Sequence, residues 1–297
     1  MIINVICGGK NAEREVSLRS GNAVANALKT KNHIVKVIDT TASDIELQAC
    51  DIAFPVLHGV GGEDGSFQKR LEDLNILFVG SDSKSSALCM DKSIYREFMI
   101  KKGFLMPRGS TLNLKAYLNS DFRNIPHVIK PVDGGSSIDT LFLRDTSNLD
   151  DDQIYELFNA HKEMIVEQLI EGFEITVGII ENDVLPAIEI IPPANTEFDY
   201  ENKYNGKTQE LCPPQNISEE IQTLAKEISM KVHKFAGCRD YSRSDFMISK
   251  DGKVYLLETN TIPGMTEQSL YPKMALTYGL SMPELADKLA KLANSRT

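Results

Sequence analysis

The stretch RSDFMISKDGKVYLLETN, residues 243–260, carries an arginine, two carboxylates and an amide at spacings that a hairpin would gather. Asp251-Gly252 between two alternating runs is a strong hairpin signal. With those two residues as the loop, Lys250 pairs with Lys253, and counting outward sets Asp245 opposite Glu258 and Arg243 opposite Asn260. Strand side chains alternate with a period of two, so all four share one face. Like charges placed directly opposite destabilise a sheet. A hard divalent cation removes that conflict: Asp245, Glu258 and Asn260 offer only oxygen, the ligand set of Mg²⁺ or Mn²⁺, which phosphate oxygens and water commonly complete. The alternative is a strand face whose charges point into water. A three-residue loop would also shift the register by one.

Other stretches add chemistry that is weak when each is taken alone. DGGSS follows the strand HVIKP, and such a loop can lay backbone N–H groups on phosphate oxygens while Lys130 adds charge; an ordinary turn is the competing reading. No G-x-x-x-x-G-K-[ST] run occurs. GGKNAERE is a glycine turn with Glu13 close by, which could equally serve only a helix N-terminus. HGVGGEDGS places His58 and Glu63 after a strand, where open α/β sheets bind ligands; a solvent loop is the alternative. EQLIEGFE sets Glu167 and Glu174 at a strand end, either around a nucleotide or simply on the surface. His33, His127, His161 and His233 lack metal-ligand spacing. Cys7, Cys50, Cys89, Cys212 and Cys238 are scattered and form no C-x-x-C pair, which argues for a reducing compartment and against a disulfide framework.

The elements that would position these groups read as alternating strand and helix. IINVIC, HIVKVID, DIAFPVLHG and ILFVGS read as strands, with helices after Gly9 and over SFQKRLEDL, forming a parallel α/β unit over about residues 1–86. A second, α+β unit covers about 87–170. A third covers about 171–297, with a polar loop near 194–213 bounded by Pro193 and Pro213, and a helix from Ser218 to Ala236. A chain of 297 residues suits two or three domains, and 42% hydrophobic with 25% charged residues suits a globular protein. The net charge of −10 speaks against a nucleic-acid or anionic-membrane partner. No run approaches the length of a membrane span. The N-terminus reads as a first strand and not as a signal peptide.

Taken together and in order, AEREVS, HGVGGEDGS, IKPVDGGSSID, EQLIEGFE, DYENKY and ETNTIPGMTEQS resemble the D-alanine–D-alanine ligases of the ATP-grasp superfamily over essentially the whole chain. The resemblance implies an ATP-grasp fold with ATP between the second and third units. It implies ligation of two D-alanines through a D-alanyl phosphate, for peptidoglycan synthesis in the cytoplasm, by a homodimer. By the same resemblance Asp245, Glu258 and Asn260 hold two Mg²⁺ or Mn²⁺ ions, and Lys92, Lys130 and Lys203 contact the ATP phosphates. Glu167 and the backbone of Gln168, Leu169 and Ile170 take adenine, and Glu174 takes ribose. Arg243 and the Gly264 N–H steady the acyl phosphate. Glu13 pairs the first D-alanine's ammonium with His58 nearby, and Ser269 and Leu270 grip the second substrate's carboxylate. Glu13, Ser136 and Tyr204 form a triad tying the polar loop to the site, and tyrosine at 204 favours the dipeptide over D-alanyl-D-lactate.

Two departures stand out. The family usually has glycine where this chain has Asp139, whose charge near phosphates is expected to weaken ATP binding. Small residues usually precede the family's arginine, where this chain has Asp240, Tyr241 and Ser242. The competing assignments are a different ATP-grasp carboxylate–amine ligase and a nucleotide-binding module without catalysis.

Overall fold

A computed structural model describes residues 1–11, 13–40, 43–135, 137–147, 149–193 and 207–296. In chain order the elements are β1 (Ile2–Cys7), α1 (Arg14–Thr30), β2 (Ile34–Asp39), α2 (Asp44–Gln48), β3 (Ile52–Pro55), α3 (Ser66–Asp73), α4 (Ser83–Met90), α5 (Lys92–Lys101), β4 (Gly109–Leu112), α6 (Leu114–Leu118), β5 (His127–Pro131), β6 (Leu141–Leu143), α7 (Asp151–Ala160), β7 (Met164–Gln168), β8 (Gly172–Ile180), β9 (Asp183–Val184), β10 (Ile188–Ile191), β11 (Gln209–Leu211), α8 (Glu219–Phe235), β12 (Tyr241–Ser249), β13 (Val254–Asn260), α9 (Leu270–Tyr278) and α10 (Met282–Asn294). Among the described residues no helix is long and apolar enough to cross a membrane.

Three sheets organise these elements. A parallel sheet runs β2-β1-β3, an antiparallel one β4-β7-β5-β6, and a larger one β11-β10-β8-β12-β13 with β9 added to β8. The apolar stripe of α1, including Val24, Ala27 and Leu28, is buried, as its helical spacing requires. It shares a core with Leu285 and Leu289 of α10, so the C-terminal helix closes over the N-terminal sheet. Tyr95 and Met99 of α5 pack in a second core with Ile175 of β8 and Phe246 of β12. Asp91 begins α5 by accepting the Ile94 N–H at 2.9 Å, which makes Lys92 the first helical residue.

Two expectations change. ILFVGS is not a full strand: it contributes one parallel bridge, Ala53 to Phe78. Ala53 bonds the Leu77 carbonyl and the Val79 N–H, and the next ladder bond would need an N–H from Pro55, which has none. On the outer edge Asp240 accepts the Gly80 N–H at 2.7 Å, and Arg296 donates to the Phe78 carbonyl. The hairpin loop holds three residues and not two. Ser249 N–H donates to the Lys253 carbonyl at 2.9 Å, and Gly252 sits at φ +79°, a backbone region open to glycine. Lys250 and Lys253 therefore do not pair. Near the turn Ile248 faces Val254 and Phe246 faces Leu256, one residue away from the expected register. A bulge then leaves Leu257 unmatched, and beyond it Asp245 faces Glu258 and Arg243 faces Asn260.

Candidate active site

Asp245 and Glu258 are cross-strand neighbours with Arg243 and Asn260 beyond them, so the sheet does hold two carboxylates against each other. Residues on the opposite side of the hairpin lock this end in place. Tyr95 Oη meets Thr259 Oγ1 at 2.6 Å, and Thr259 Oγ1 meets Ser244 Oγ at 2.8 Å. Arg243 donates from both Nε and a terminal nitrogen to the two Asp245 oxygens, at 2.9 and 2.7 Å. This forked pair answers one carboxylate. Burial works against the Arg243 charge, yet Asp245 raises its pKa above the ordinary value. Thr176 Oγ1 donates a further bond to Asp245 at 2.5 Å. Asn260 turns its amide oxygen to the Ile262 N–H at 2.8 Å.

The donor set is consistent with Mg²⁺ or Mn²⁺: two carboxylates and an amide, all oxygen, on one face. Among the described residues no three His, Cys, Asp or Glu side chains gather to hold a metal. The remaining positions of such an ion would fall to phosphate oxygens and water, as is usual for Mg²⁺ beside a nucleotide.

Across the cleft lies a cluster of opposite balance. Glu167, 5% exposed, is bound by Arg96 at 3.0 Å on one oxygen and by Lys130 at 2.7 Å on the other. Burial disfavours the Lys130 charge, but Glu167 and Glu258 raise its pKa. Lys92 reaches the Gly134 carbonyl of the glycine loop, and burial lowers its pKa against the pull of Glu258. The linker after β7 is partly spent: Gln168 N–H bonds the Arg108 carbonyl and Leu169 N–H bonds that of Pro126. Glu174 lines the same cavity.

Asp139 does not face this cleft. It adopts φ +55°, and its carboxylate bonds His161 Nε2 at 2.8 Å, at the end of α7. The charge expected near the phosphates is thus directed elsewhere. The second departure is absorbed by packing: Tyr241 meets the Tyr271 ring edge-on, and Ser242 Oγ lies 2.7 Å from His233 Nδ1.

A second cavity lies beside the N-terminal loops. Glu13, 6% exposed, approaches both glycine loops; a Cβ on Gly59 would stand 2.3 Å from its carboxylate, and one on Gly135 3.3 Å. Gly59 also has φ +68°, so a side chain there is excluded twice. His58 Nε2 lies 3.3 Å from Ser20 Oγ, and burial depresses its pKa to about 4, keeping the ring neutral at pH 7. Ser269 directly precedes α9, whose first residue is Leu270, and its hydroxyl meets Thr266 Oγ1 at 2.8 Å. A Cβ on Gly264 would come within 2.8 Å of Ser269 Oγ, which explains glycine there.

The cavities measure about 670 Å³ and about 700 Å³ and share Lys92, Gly134, Gly135 and Glu258 as wall. Most of the expected groups therefore line two adjoining cavities. Ser136, Lys203 and Tyr204 lie outside the described residues. Two groups were missing from the set implied by the resemblance. Glu63 accepts the Gly59 N–H at 2.8 Å, and burial and the Glu13 charge push its pKa up to about 8. The GEDG loop had flagged it. Arg96 lies four residues after Lys92 and so on the same helix face, a signal that periodicity alone offers.

Residues 110–291 match the family described as D-ala D-ala ligase C-terminus. A D-alanine–D-alanine ligase from Aquifex aeolicus is 36% identical, with 96% of this chain and 98% of that protein covered. The crystal structure of D-alanine–D-alanine ligase from Bacillus anthracis superposes with a TM-score of 0.87 at 32% identity, covering 100% of this chain and 98% of that one. A D-alanine–D-alanine ligase from Bacillus anthracis complexed with ATP gives 0.83 at 29% identity, covering 100% and 99%.

Proposed function

We propose, from the premise that this chain belongs to the D-alanine–D-alanine ligase family and has its ATP-grasp fold, that the joined cavities condense two D-alanines at the expense of ATP, supplying peptidoglycan synthesis. The observation that carries this reading is the shared wall. A nucleotide in the cavity beside Lys130 would point its phosphates at Lys92, the glycine loop and Glu258, where the amino-acid cavity begins.

The chemistry follows from that junction. Glu13 pairs the ammonium of the first D-alanine and turns its carboxylate towards the γ-phosphate. A carboxylate oxygen attacks phosphorus and ADP leaves, giving D-alanyl phosphate. The amine of the second D-alanine attacks the acyl carbon, and phosphate departs from the tetrahedral intermediate. Arg243 and the Gly264 N–H lie where negative charge grows on the acyl oxygen, the place where preorganised donors accelerate most. The Leu270 N–H and Ser269, at the start of α9, fit the acceptor carboxylate. Asp245, Glu258 and Asn260 would hold divalent ions, which neutralise phosphate charge in phosphoryl transfer. Glu174 suits the ribose. The Ile170 N–H, which makes no hydrogen bond among the described residues, suits the adenine edge.

We read the chain as three units divided near residues 86 and 170. We further read it as a cytoplasmic homodimer, supported by the position of β2 at the edge of its sheet with Ile34 exposed at 69%. Light scattering checks the dimer. For the activity, the test is chromatographic detection of D-alanyl-D-alanine after incubation with ATP, Mg²⁺ and D-alanine. Product should require all three and be absent with L-alanine; product without ATP, or none at all, would refute the reading.

A further inference from the structure

Arg96 lines neither cavity, yet it is nine-tenths buried beside the nucleotide cleft. Its guanidinium donates to Glu167 Oε1 at 3.0 Å while Lys130 takes Oε2 at 2.7 Å. The chain is fitted around this contact. A Cβ on Gly109 of β4, which pairs with Glu167 in the sheet, would lie 2.7 Å from Glu167 Cγ and 3.3 Å from Arg96 Cζ.

Two cations on one buried carboxylate leave a surplus positive charge. Arg96, held by Glu167, lies outside the cavity lining, so the surplus falls to Lys130, which lines it. Without Arg96, Glu167 and Lys130 would close into a neutral pair. One carboxylate oxygen would then lose its partner beside a cleft meant for a polyanion, a costly arrangement in a poorly solvated place.

We propose that Arg96 is a positioning residue for nucleotide binding: by occupying one oxygen of Glu167 it aims the Lys130 ammonium, still carrying net charge, at the nucleotide. Glu167 is then the bridge between two cations as well as a wall of the adenine pocket. This rests on the reading of the cleft as an ATP site.

The test is calorimetric Kd for Mg–ADP on the full chain, comparing wild type, Arg96→Met, Arg96→Lys, Glu167→Gln and the Arg96→Met/Glu167→Gln pair. Arg96→Met should weaken binding by about tenfold or more, as loss of one partner of a buried charge pair does. Arg96→Lys should recover most of that loss. With Glu167 made neutral, removing Arg96 should cost less than about threefold, because no unpaired carboxylate remains. A structural role alone would give equal losses in both backgrounds. Unchanged Kd in Arg96→Met, or that equal loss, overturns the inference while leaving the ATP site intact. Should Arg96→Met not fold, the comparison of Glu167→Gln with the double variant and the Arg96→Lys value still decide. Wild type that binds no nucleotide would overturn both this inference and the reading beneath it.

Discussion

Two partly buried charge clusters face each other across the cleft. On β12–β13 Arg243 is bound to Asp245 and Glu258 stands across the strand pair from it; on β5, β7 and α5 two cations, Arg96 and Lys130, share one carboxylate, Glu167. In the proposed reading the first side gathers oxygens where divalent ions would sit, and the second gathers cations where the ATP phosphates would lie. The difference teaches that each side of the cleft carries the charge opposite to the part of the substrate proposed for it.

Breaking the acidic cluster should give the largest effect. Glu258→Gln should lower turnover about a thousandfold or more, the scale of losing a preorganised electrostatic group. Its melting temperature without nucleotide and metal should shift little, because the Asp245–Glu258 repulsion and the attraction of Glu258 for Lys92 and Lys130 are lost together. Steady-state kinetics with scanning calorimetry measure both, and an active or strongly destabilised variant would break the comparison. The basic cluster should respond in KM. Lys130→Met should raise KM for ATP about tenfold to a hundredfold with a smaller change in kcat; a pure kcat loss would place Lys130 in chemistry and not in binding.

A subtler contrast is with Glu63, a buried acid that forms no ion pair among the described residues. Its pKa of about 8 in the folded chain exceeds the ordinary 4.5, so the folded state holds a proton that the unfolded state has released. That gain is complete below about pH 4.5 and is lost as pH rises through about 8. His58 and His233, both depressed to about 4, work oppositely but finish titrating near 6.5. Stability of the free protein should therefore fall from about pH 6.5 to 8, and Glu63→Gln should flatten that fall. An unchanged slope in denaturant titrations would contradict the assignment. The smallest effect belongs to Asp139→Gly. Its carboxylate is bonded to His161 in a half-exposed pair worth little, so KM for ATP should move less than about twofold. A large gain in ATP affinity would restore the view that this charge opposes phosphate.

The acidic cluster was legible in the sequence and the basic one was not. Residues 243–260 form a hairpin, and a hairpin's pairing can be counted from its turn. Even so, the count reached Asp245–Glu258 through two departures that cancel: the turn holds one residue more than assumed, and the bulge at Leu257 takes it up again. A bulge leaves no periodic mark when both flanking residues are apolar, as Leu256 and Leu257 are. Glu167 and Arg96 are 71 residues apart, on a strand and a helix whose packing no local pattern encodes. ILFVGS reads as a strand because its composition suits one; Pro55 of β3 offers no N–H to extend the pairing, and Asp240 and Arg296, far along the chain, take the outer edge. The Asp139 charge was legible and its direction was not, since His161 is 22 residues away.

The proposed reaction requires the γ-phosphate and a D-alanine carboxylate to meet where the two cavities adjoin. D-Alanine labelled with ¹⁸O in its carboxylate tests this directly. If the carboxylate attacks phosphorus and phosphate later leaves the acyl carbon, each inorganic phosphate released should carry one ¹⁸O from D-alanine. Phosphate released without that label, while dipeptide accumulates, would contradict it.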